Sequence, residues 1–363
     1  MRPANIFNVK QGTMLARPVY NSEAGILLDK KTSLNAKYIE RIKSIGVRTI
    51  FIEDEISDGI SISDIIPEER RIECIKYIRK LILYIEAVKD IKTLKIEISE
   101  FIYAVEKIID ILYSNKNKIF IPNIDVKNAE NYTSAHSVNT GLIGLVIRLN
   151  MNYSKKQLIE LCVGGMLHDV GKSKIPAVIL NKPGRLTDEE YNVIKTHSQI
   201  GYDILKRFVG LNEQIKNICL EHHEKVNGLG YPSGLTGKNI AENSKIIALA
   251  DVYDALTSDR VYKNRMTPDM AAKIIRGAVD THFDRKIIEV FIKYAPLYPP
   301  GSIAVLNTGE IGVILKYKNE NEVKIRIFTD EKKNYLNNYK TINLNSESTL
   351  KILKILDDAP AKK

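Results

Sequence analysis

The sequence is poor in cysteine and has neither a long apolar run nor a dense block of basic residues. Its cysteines, Cys74, Cys162 and Cys219, are odd in number and show no Cys-x-x-Cys spacing. This pattern favours packing roles in a reducing cytoplasm over a disulfide framework. The longest apolar stretches, such as residues 141–147, are far shorter than a membrane span. The first residues lack the apolar core and cleavage site of an export signal, so a cytoplasmic location is expected.

The net charge of +10 arises from 54 basic and 44 acidic residues, and the lysines are scattered through the chain. Proteins that bind nucleic acid usually cluster their basic residues, often with stacking aromatics between them. We therefore expect no polynucleotide partner. An anionic small-molecule substrate would gain from the same positive field.

A chain of 363 residues is too long for one ordinary core, so several domains are expected. Residues 1–65 are predicted to form a small α+β module. Its expected elements are strands at 13–20, 25–28 and 47–52 and a helix at 34–45. Gly46 is well placed to end that helix, and residues 54–64 are polar and turn-rich, as in a linker. The module has no catalytic chemistry, so it is either sensory or a scaffold, and scaffold is the simpler interpretation.

Residues 66–118 are predicted to be a helical linker region, with helical patterns from Pro67 and at 96–113. These helices either form the seam of a homodimer or pack on the core of their own chain. Residues 296–358 are predicted to form a small β-barrel-like domain, because short β-like runs recur there. The runs are at 302–306, 311–317 and 323–328. This domain either packs against the helical core or binds a ligand or nucleic acid, and its shape alone decides neither.

Five of the six histidines lie between His136 and His223, within a series of predicted helices. The helices are expected at 131–149, 155–169, 187–205, 212–223 and 244–257. A capping box starts the third of them, and Tyr191 and His197 fall on its apolar stripe. One histidine on an apolar face is usually a hydrogen-bonded core residue. Several histidines with buried carboxylates instead favour a metal site, because imidazole is a common metal ligand and a buried carboxylate needs a cationic partner.

Six short motifs in this region carry a specific resemblance to a known family. They are Tyr132-Thr-x-x-His136-Ser, His168-Asp169-x-Gly171-Lys172, Ile179-Leu-Asn-Lys-Pro-Gly184, His222-His223-Glu224, Gly230-Tyr231-Pro232 and Asp251-x-x-Asp254-x-x-x-x-Asp259-Arg260. Over residues 125–295 the chain resembles the HD-GYP family of bacterial cyclic di-GMP phosphodiesterases, within the HD superfamily of metal-dependent phosphohydrolases. The expected fold is therefore mainly α, with an all-helical HD-type metallohydrolase core at 119–295 between the α+β module and the β domain.

The resemblance implies a binuclear metal site in which Asp169 bridges the two ions. One ion would take His136, His168 and Asp251, and the other would take His197, His222 and His223. Mixed nitrogen and oxygen ligands suit Fe or Mn, with Zn or Ni as further options in vitro. Some relatives hold a third metal through a glutamate four residues before the first histidine. Tyr132 occupies that position here, so we expect two ions.

Further roles come from the same resemblance. Lys172 would contact a non-bridging phosphate oxygen, and Arg260 and Lys263 would hold the second phosphate or a guanine. Asp254 would carry a proton or orient a metal ligand. For each of these four residues the alternative is an ordinary surface charge.

The Gly-Tyr-Pro loop is expected to border the pocket. Tyr231 would shape it or stack on a base, and Gly230 would permit a close backbone approach. Asn227 stands where the family often has aspartate. No expected ligand is lost by this change, so we expect catalysis to survive it.

The leading hypothesis is a metal-dependent phosphodiesterase that opens cyclic di-GMP to pGpG by a metal-bridged hydroxide, with a further step to GMP left open. The second is a hydrolase of the same fold acting on another nucleotide, such as a mixed cyclic dinucleotide. The third is a non-catalytic receptor for the dinucleotide or for a partner protein. An intact set of metal ligands argues against this third hypothesis.

Overall fold

The computed structural model describes residues 1–361 except 22, 24, 63–65, 116–131, 152, 259–264, 295–296, 320–321 and 346. The described chain is mainly α-helical, with a small α+β region near its N-terminus and a five-stranded sheet near its C-terminus. This confirms the predicted fold class. No described helix combines the length and the apolar character needed to cross a membrane.

The N-terminal region consists of short strands around one helix. The strands are β1 (Arg2–Asn5), β2 (Met14–Leu15), β3 (Val19–Tyr20), β4 (Ile26–Leu28) and β5 (Thr49–Glu53), and the helix is α1 (Ala36–Ser44). An antiparallel sheet has the order β1-β5-β2, and β3 pairs with β4. Gly46 follows α1 with a φ of 80°, which confirms that the helix ends there.

Residues 54–62, within the segment expected to be a linker, pack against the C-terminal sheet. Ile56, Ile60 and Ile62 are buried in one cluster with four residues of the C-terminal sheet. Those four are Ile303, Ile311, Val313 and Phe328. The isoleucines escaped prediction because their spacings, four residues and then two, do not follow one period. The two ends of the chain therefore share an apolar core.

Arg2 also joins these two regions. Its Nε lies 2.7 Å from Asp54 Oδ2, and its Nη1 lies 2.6 Å from Asp358 Oδ1. Asp358 Oδ2 accepts a further hydrogen bond from the backbone N–H of Asn5 at 3.2 Å. The Arg2 side chain is only 9% exposed, and it keeps both carboxylate partners only while the two regions remain together.

Helices make up the middle of the chain. They are α2 (Glu68–Ala87), α3 (Ser99–Tyr113), α4 (Tyr132–Leu149), α5 (Lys155–Leu167), α6 (Ala177–Leu180), α7 (Asp188–Lys195), α8 (His197–Leu205), α9 (Glu213–Glu221), α10 (Glu242–Thr257), α11 (Pro268–Gly277) and α12 (Arg285–Tyr294). Two short strands, β6 (Ile96–Glu97) and β7 (Phe208–Val209), pair in parallel. Helix α5 is central, because α3, α4 and α9 all pack against it, and α10 packs on α4 and α9.

Helices α4 and α5 cross at glycines. A Cβ placed on Gly165 of α5 would lie 2.8 Å from the Cα of Gly141 on α4, closer than packed atoms allow. This approach brings the two helices together beside their histidines. The ring centroids of His136 and His168 are 5.4 Å apart.

Lys174 connects α2 to the segment that follows α5. It lies in the short 3-10 helix Val170–Lys174. Its Nζ donates to the carbonyl oxygens of Val88 at 2.5 Å and Glu86 at 3.3 Å, at the C-terminal end of α2. A lysine in this place satisfies carbonyls that have no partner within the helix.

The single helix predicted for 187–205 is two helices, α7 and α8, divided at Thr196. Thr196 Oγ1 donates to Val193 O at 2.6 Å, and His197 Nδ1 donates to Ile194 O at 2.7 Å. These side chains compete with backbone N–H groups for the last carbonyls of α7, so the helix ends there. The chain changes direction at Thr196. Tyr191 therefore does not lie on the buried apolar stripe that was predicted for it, and its side chain is 48% exposed.

The C-terminal sheet is antiparallel in the order β11-β10-β9-β8-β12. Its strands are β8 (Ile303–Leu306), β9 (Ile311–Asn319), β10 (Glu322–Thr329), β11 (Tyr335–Leu344) and β12 (Ile352–Leu356). The first three coincide with the predicted β-like runs. Strand β11 was not predicted, because many of its side chains are exposed and polar.

The Asp358→Ala variant should lose about 3 kcal/mol of unfolding free energy, because it leaves a nearly buried Arg2 with one carboxylate in place of two. Urea unfolding measures this loss. The control is Glu73→Ala, which removes the carboxylate of an exposed pair with Arg70 and should cost less than about 1 kcal/mol. Equal effects of the two substitutions would contradict the role assigned to Arg2.

Candidate metal centre

Two groups of imidazole and carboxylate side chains meet within the helical core. One group is Asp169, His197, His222 and His223, and the other is His136, His168 and Asp251. Within each group the possible ligand atoms all lie within 4.8 Å of one another, so each group could hold a metal ion. These are the residues that the sequence named as ligands, divided as expected, with Asp169 between the groups.

Helix ends supply most of these side chains. His168 ends α5, with Asp169 immediately after it, and His197 begins α8. His222 follows the last residue of α9, with His223 next. The other two come from within helices, His136 from α4 and Asp251 from α10. Several helices must therefore pack correctly before the groups exist.

Asp169 presents one oxygen to each group. Its Oδ1 lies 3.4 Å from His197 Nε2 and 3.8 Å from His222 Nε2. Its Oδ2 lies 3.3 Å from His168 Nε2 and 3.8 Å from His136 Nε2. A carboxylate between two sets of imidazoles has the arrangement needed to bridge two cations.

Backbone carbonyls fix the orientation of three imidazoles. The Nδ1 atoms of His168, His197 and His222 lie 2.7, 2.7 and 2.8 Å from the carbonyl oxygens of Gly165, Ile194 and Cys219. Each Nδ1 must carry the proton to donate, which leaves each Nε2 with a lone pair directed to the centre. The Nε2 atoms of His197 and His222 are 3.3 Å apart, so their lone pairs face each other, as around a cation.

Two buried atoms at the centre fit a metal ion. His168 Nε2 and Asp169 Oδ1 have no hydrogen-bond partner among the described residues. Both residues are almost fully buried. A buried acceptor without a donor costs free energy, and a bound cation would remove that cost at both atoms. The donor set of imidazole nitrogens and carboxylate oxygens is also one that first-row divalent metals accept.

Comparison with known proteins agrees with this geometry. Residues 126–287 match the family model of the HD domain, and residues 303–363 match that of a KOW domain associated with the HD domain. A cyclic di-GMP phosphodiesterase of Pseudomonas aeruginosa is 35% identical over 195 residues, which are 53% of this chain and 46% of that protein. A cyclic di-GMP phosphodiesterase of Vibrio cholerae is 47% identical over 132 residues, 35% of this chain and 27% of that protein.

Residues 126–287 therefore match an HD domain, as the resemblance to the HD-GYP family implied. The chain spans about half or less of the length of these two relatives. The solved structure of Bd1817, an HD-GYP-type protein of Bdellovibrio bacteriovorus, covers 80% of this chain and 97% of its own, with a TM-score of 0.51 and 17% identity. At that identity the likeness concerns the fold alone.

The protonation states of this site differ between its two groups. Burial lowers the pKa of His197 to about 4 and of His223 to about 3, and it holds the pKa of His222 well below the usual value. These imidazoles are neutral at pH 7, as metal ligands must be. Burial alone would also lower the pKa of His136, but its hydrogen bonds to Asp251 and Asp254 raise it to about 9.

Lys172 lies beside the shared carboxylate, with its Nζ 2.5 Å from Asp169 Oδ2. Burial alone would raise the pKa of Asp169, but its interactions with neighbouring His168 and Lys172 hold that pKa well below its usual range. The Lys172 side chain is 26% exposed, whereas that of Asp169 is 1% exposed. The ammonium group therefore stands between the buried centre and solvent.

Asp254 is directed at His136 and away from solvent. Its Oδ2 accepts from His136 Nδ1 at 2.7 Å, and its Oδ1 accepts from Asn139 Nδ2 at 3.2 Å. The sequence offered two roles for Asp254, and this geometry favours orientation of His136 over proton transfer. Asn139, one turn after His136 on α4, was missed, although its spacing on the same face was a usable signal.

The Gly-Tyr-Pro loop folds back over the site. The ring of Tyr231 stacks on His223 with centroids 4.7 Å apart, and its backbone N–H donates to His223 O at 3.2 Å. A Cβ on Gly230 would lie 2.4 Å from Glu224 Cα, so only glycine fits there, as predicted. Asn227 Oδ1 accepts from Leu229 N–H at 3.0 Å, a bond that an aspartate would also make.

Glu224 is a second residue whose role the sequence did not indicate. Its carboxylate is buried and accepts from the backbone N–H groups of Ser233 at 2.7 Å and Leu235 at 2.9 Å. It therefore holds the loop that carries Tyr231. Arg260 and Lys263, expected to bind substrate, lie outside the described residues.

Metal uptake by the apoprotein at pH 7.5 should release about one proton, because His136 has a pKa of about 9 and must become neutral to act as a ligand. His197, His222 and His223 should release none, since their pKa values lie below 6.5. Affinity should then rise with pH up to about 9. Calorimetry in two buffers of different ionisation enthalpy counts the proton, and His136→Gln should abolish the release. If the His136→Gln variant released the same proton as the wild type, the assignment of this proton to His136 would be contradicted.

Glu224→Gln should loosen the Gly-Tyr-Pro loop, because an amide has one acceptor oxygen for two backbone donors. A loss of about 2 kcal/mol is expected, with faster hydrogen exchange at Ser233 and Leu235. Glu221→Gln is the control, since Glu221 accepts only the N–H of Ala241, at 3.0 Å, among the bonds described for it. Unchanged exchange in Glu224→Gln would refute the role of this carboxylate.

Proposed function

We propose that this chain is a metal-dependent phosphodiesterase that hydrolyses cyclic di-GMP to pGpG, with the further step to GMP left open. The observation that carries the proposal is the shared carboxylate of Asp169, which faces one group of imidazoles with each oxygen. The names of two relatives, both cyclic di-GMP phosphodiesterases, support the choice of substrate.

We propose two divalent ions, Fe or Mn, held by the groups described above. When bound, such ions would supply an activated water and positive charge against the phosphodiester oxygens. The two orphaned atoms, His168 Nε2 and Asp169 Oδ1, support this proposal. The absence of a glutamate at Tyr132 supports two ions over three.

The protein's own groups orient and hold the substrate. We propose that Lys172 turns from Asp169 to a non-bridging phosphate oxygen, because its ammonium is the donor nearest to the shared carboxylate on the solvent side. Asp254 keeps the Nδ1 proton of His136 in place, so that His136 Nε2 stays directed to the centre. The ring of Tyr231, which stacks on His223, forms one side of the proposed substrate site. Arg260 and Lys263 stay predictions for the second phosphate or a guanine.

Location and assembly remain predictions. A cytoplasmic location is supported by the three cysteines, all of which are buried and unpaired. A homodimer through α2 and α3 is supported by exposed large apolar side chains on these helices. They are Leu83, Tyr84 and Tyr103.

Protein purified without oxygen and loaded with Fe or Mn should hydrolyse cyclic di-GMP to pGpG, and a chelator should abolish turnover. The His168→Ala and Asp169→Ala variants should each lose at least about a hundredfold in kcat, because each opens the centre. His282→Ala is the control: His282 belongs to neither group, and its variant should keep wild-type turnover.

Other outcomes of this experiment separate the alternatives. Preferred turnover of a different cyclic dinucleotide would favour a hydrolase of the same fold with another substrate. Binding of cyclic di-GMP without turnover under any metal would favour a receptor and refute the proposal.

A further inference from the structure

Tyr191 is an exposed aromatic residue next to the metal centre. The helical period placed it on a buried face, but its side chain is 48% exposed. Its ring centroid is 6.5 Å from that of Tyr231, and the two rings are nearly perpendicular, at 84°. Since one face of Tyr231 is stacked on His223, the two tyrosines form a corner beside a metal ligand.

The position of Tyr191 is fixed by its surroundings. Helix α7 begins with a capping box, in which Thr187 and Glu190 each bond the backbone of the other. Lys182 Nζ adds an ion pair to Glu190 at 2.6 Å. At its other end α7 leads directly to the metal-group residue His197. Tyr191 is therefore held in a constant place relative to the centre.

The ammonium group of Lys195 lies close to the exposed ring of Tyr191. Lys195, one turn after Tyr191, has its Nζ 5.2 Å from the centroid of the Tyr191 ring. An ammonium group has three donors and no acceptor. Guanine presents two acceptors, O6 and N7, on one edge, whereas adenine presents a donor in place of O6. A flexible lysine over an aromatic ring therefore suits guanine better than adenine.

We propose that Tyr191 and Lys195 form a guanine subsite, in which one base of the cyclic dinucleotide stacks on Tyr191 and receives a hydrogen bond from Lys195. The inference rests on the proposed function and adds to it the residues that select the base. Unpaired bases commonly stack on tyrosine, and the adjoining Tyr231 gives the base an edge-to-face neighbour. The phosphate attached to this base then lies toward the metal groups.

A fluorescence experiment tests the subsite without turnover. The chain has no tryptophan, so Tyr191→Trp introduces a single reporter. Cyclic di-GMP should quench its fluorescence, because a stacked guanine contacts the indole. The matched control is Tyr202→Trp, because Tyr202 has Lys206 over its ring at 4.3 Å in the same relation, but is in contact with Glu213. Absence of quenching at position 191, or equal quenching at both positions, would overturn the proposal.

Kinetics test the same subsite through catalysis. Tyr191→Ala should raise KM for cyclic di-GMP about tenfold, as expected for loss of one base–aromatic stack, with kcat unchanged. The Tyr191→Phe variant should keep the wild-type KM, because phenylalanine retains the aromatic ring. The Tyr202→Ala variant should also leave KM unchanged. Hydrolysis of bis(p-nitrophenyl) phosphate, which has no base, should be the same in wild type and Tyr191→Ala. Unchanged KM for cyclic di-GMP, or an equal loss on both substrates, would refute a base-selecting role.

The contribution of Lys195 is measured as the preference of the enzyme for cyclic di-GMP over cyclic di-AMP. Lys195→Met should reduce the ratio of kcat/KM for cyclic di-GMP to that for cyclic di-AMP several-fold, whereas Lys206→Met should not. An unchanged ratio would exclude Lys195 from the subsite.

Quenching in the Tyr191→Trp variant, with no turnover by the wild-type protein, would refute the proposed function and leave the subsite standing. Turnover of cyclic di-GMP without quenching or a KM change would refute the subsite alone.

Discussion

The structure depends on one buried negative charge, the carboxylate of Asp169, which is placed between imidazoles on two sides. Because burial alone would make this ionised group costly, positive charge must be brought to it, and Lys172 is the nearest side-chain ammonium. The imidazoles with lowered pKa values cannot supply that charge at neutral pH. They supply lone pairs instead. Inward-facing lone pairs beside a buried carboxylate are unfavourable by themselves and become favourable when cations enter, so the fold is built around a bound state.

The ends of the helices, and the close crossing of α4 and α5, position the ligands around Asp169. His168, His197 and His222 lie where helices begin or stop, and each directs its Nδ1 to a carbonyl of its own or the preceding helix. The backbone groups that a helix end leaves without partners thus serve to orient the ligands. The glycines at the crossing of α4 and α5 add the second requirement, since larger residues would separate the backbones that carry His136 and His168.

The set of candidate ligands could be predicted from the sequence, because most of them lie in short motifs and His197 falls on the apolar stripe of a periodic helix. The three-dimensional partners could not. Which oxygen of Asp169 faces which imidazole depends on the packing of helices distant in sequence. The division at Thr196 depends on side chains that compete for backbone carbonyls, and it is this division that changes Tyr191 from an expected core residue to an exposed one. The role of Glu224 could not be predicted, although it lies in a motif, because its partners are backbone amides of a loop.

The shared core of the two chain ends has a topological consequence. Since Arg2 is paired with both Asp54 and Asp358, the chain leaves one body at α2 and returns to that same body after α12. The helical domain is thus attached like an inserted loop, held at both its entry and its exit. Any distortion of the supporting body would act on both attachment points together. Helix α2 begins at the entry point, and at its opposite end Lys174, which is five residues after Asp169, donates to the carbonyl oxygen of Val88. This helix therefore links the entry point to the segment that carries Asp169.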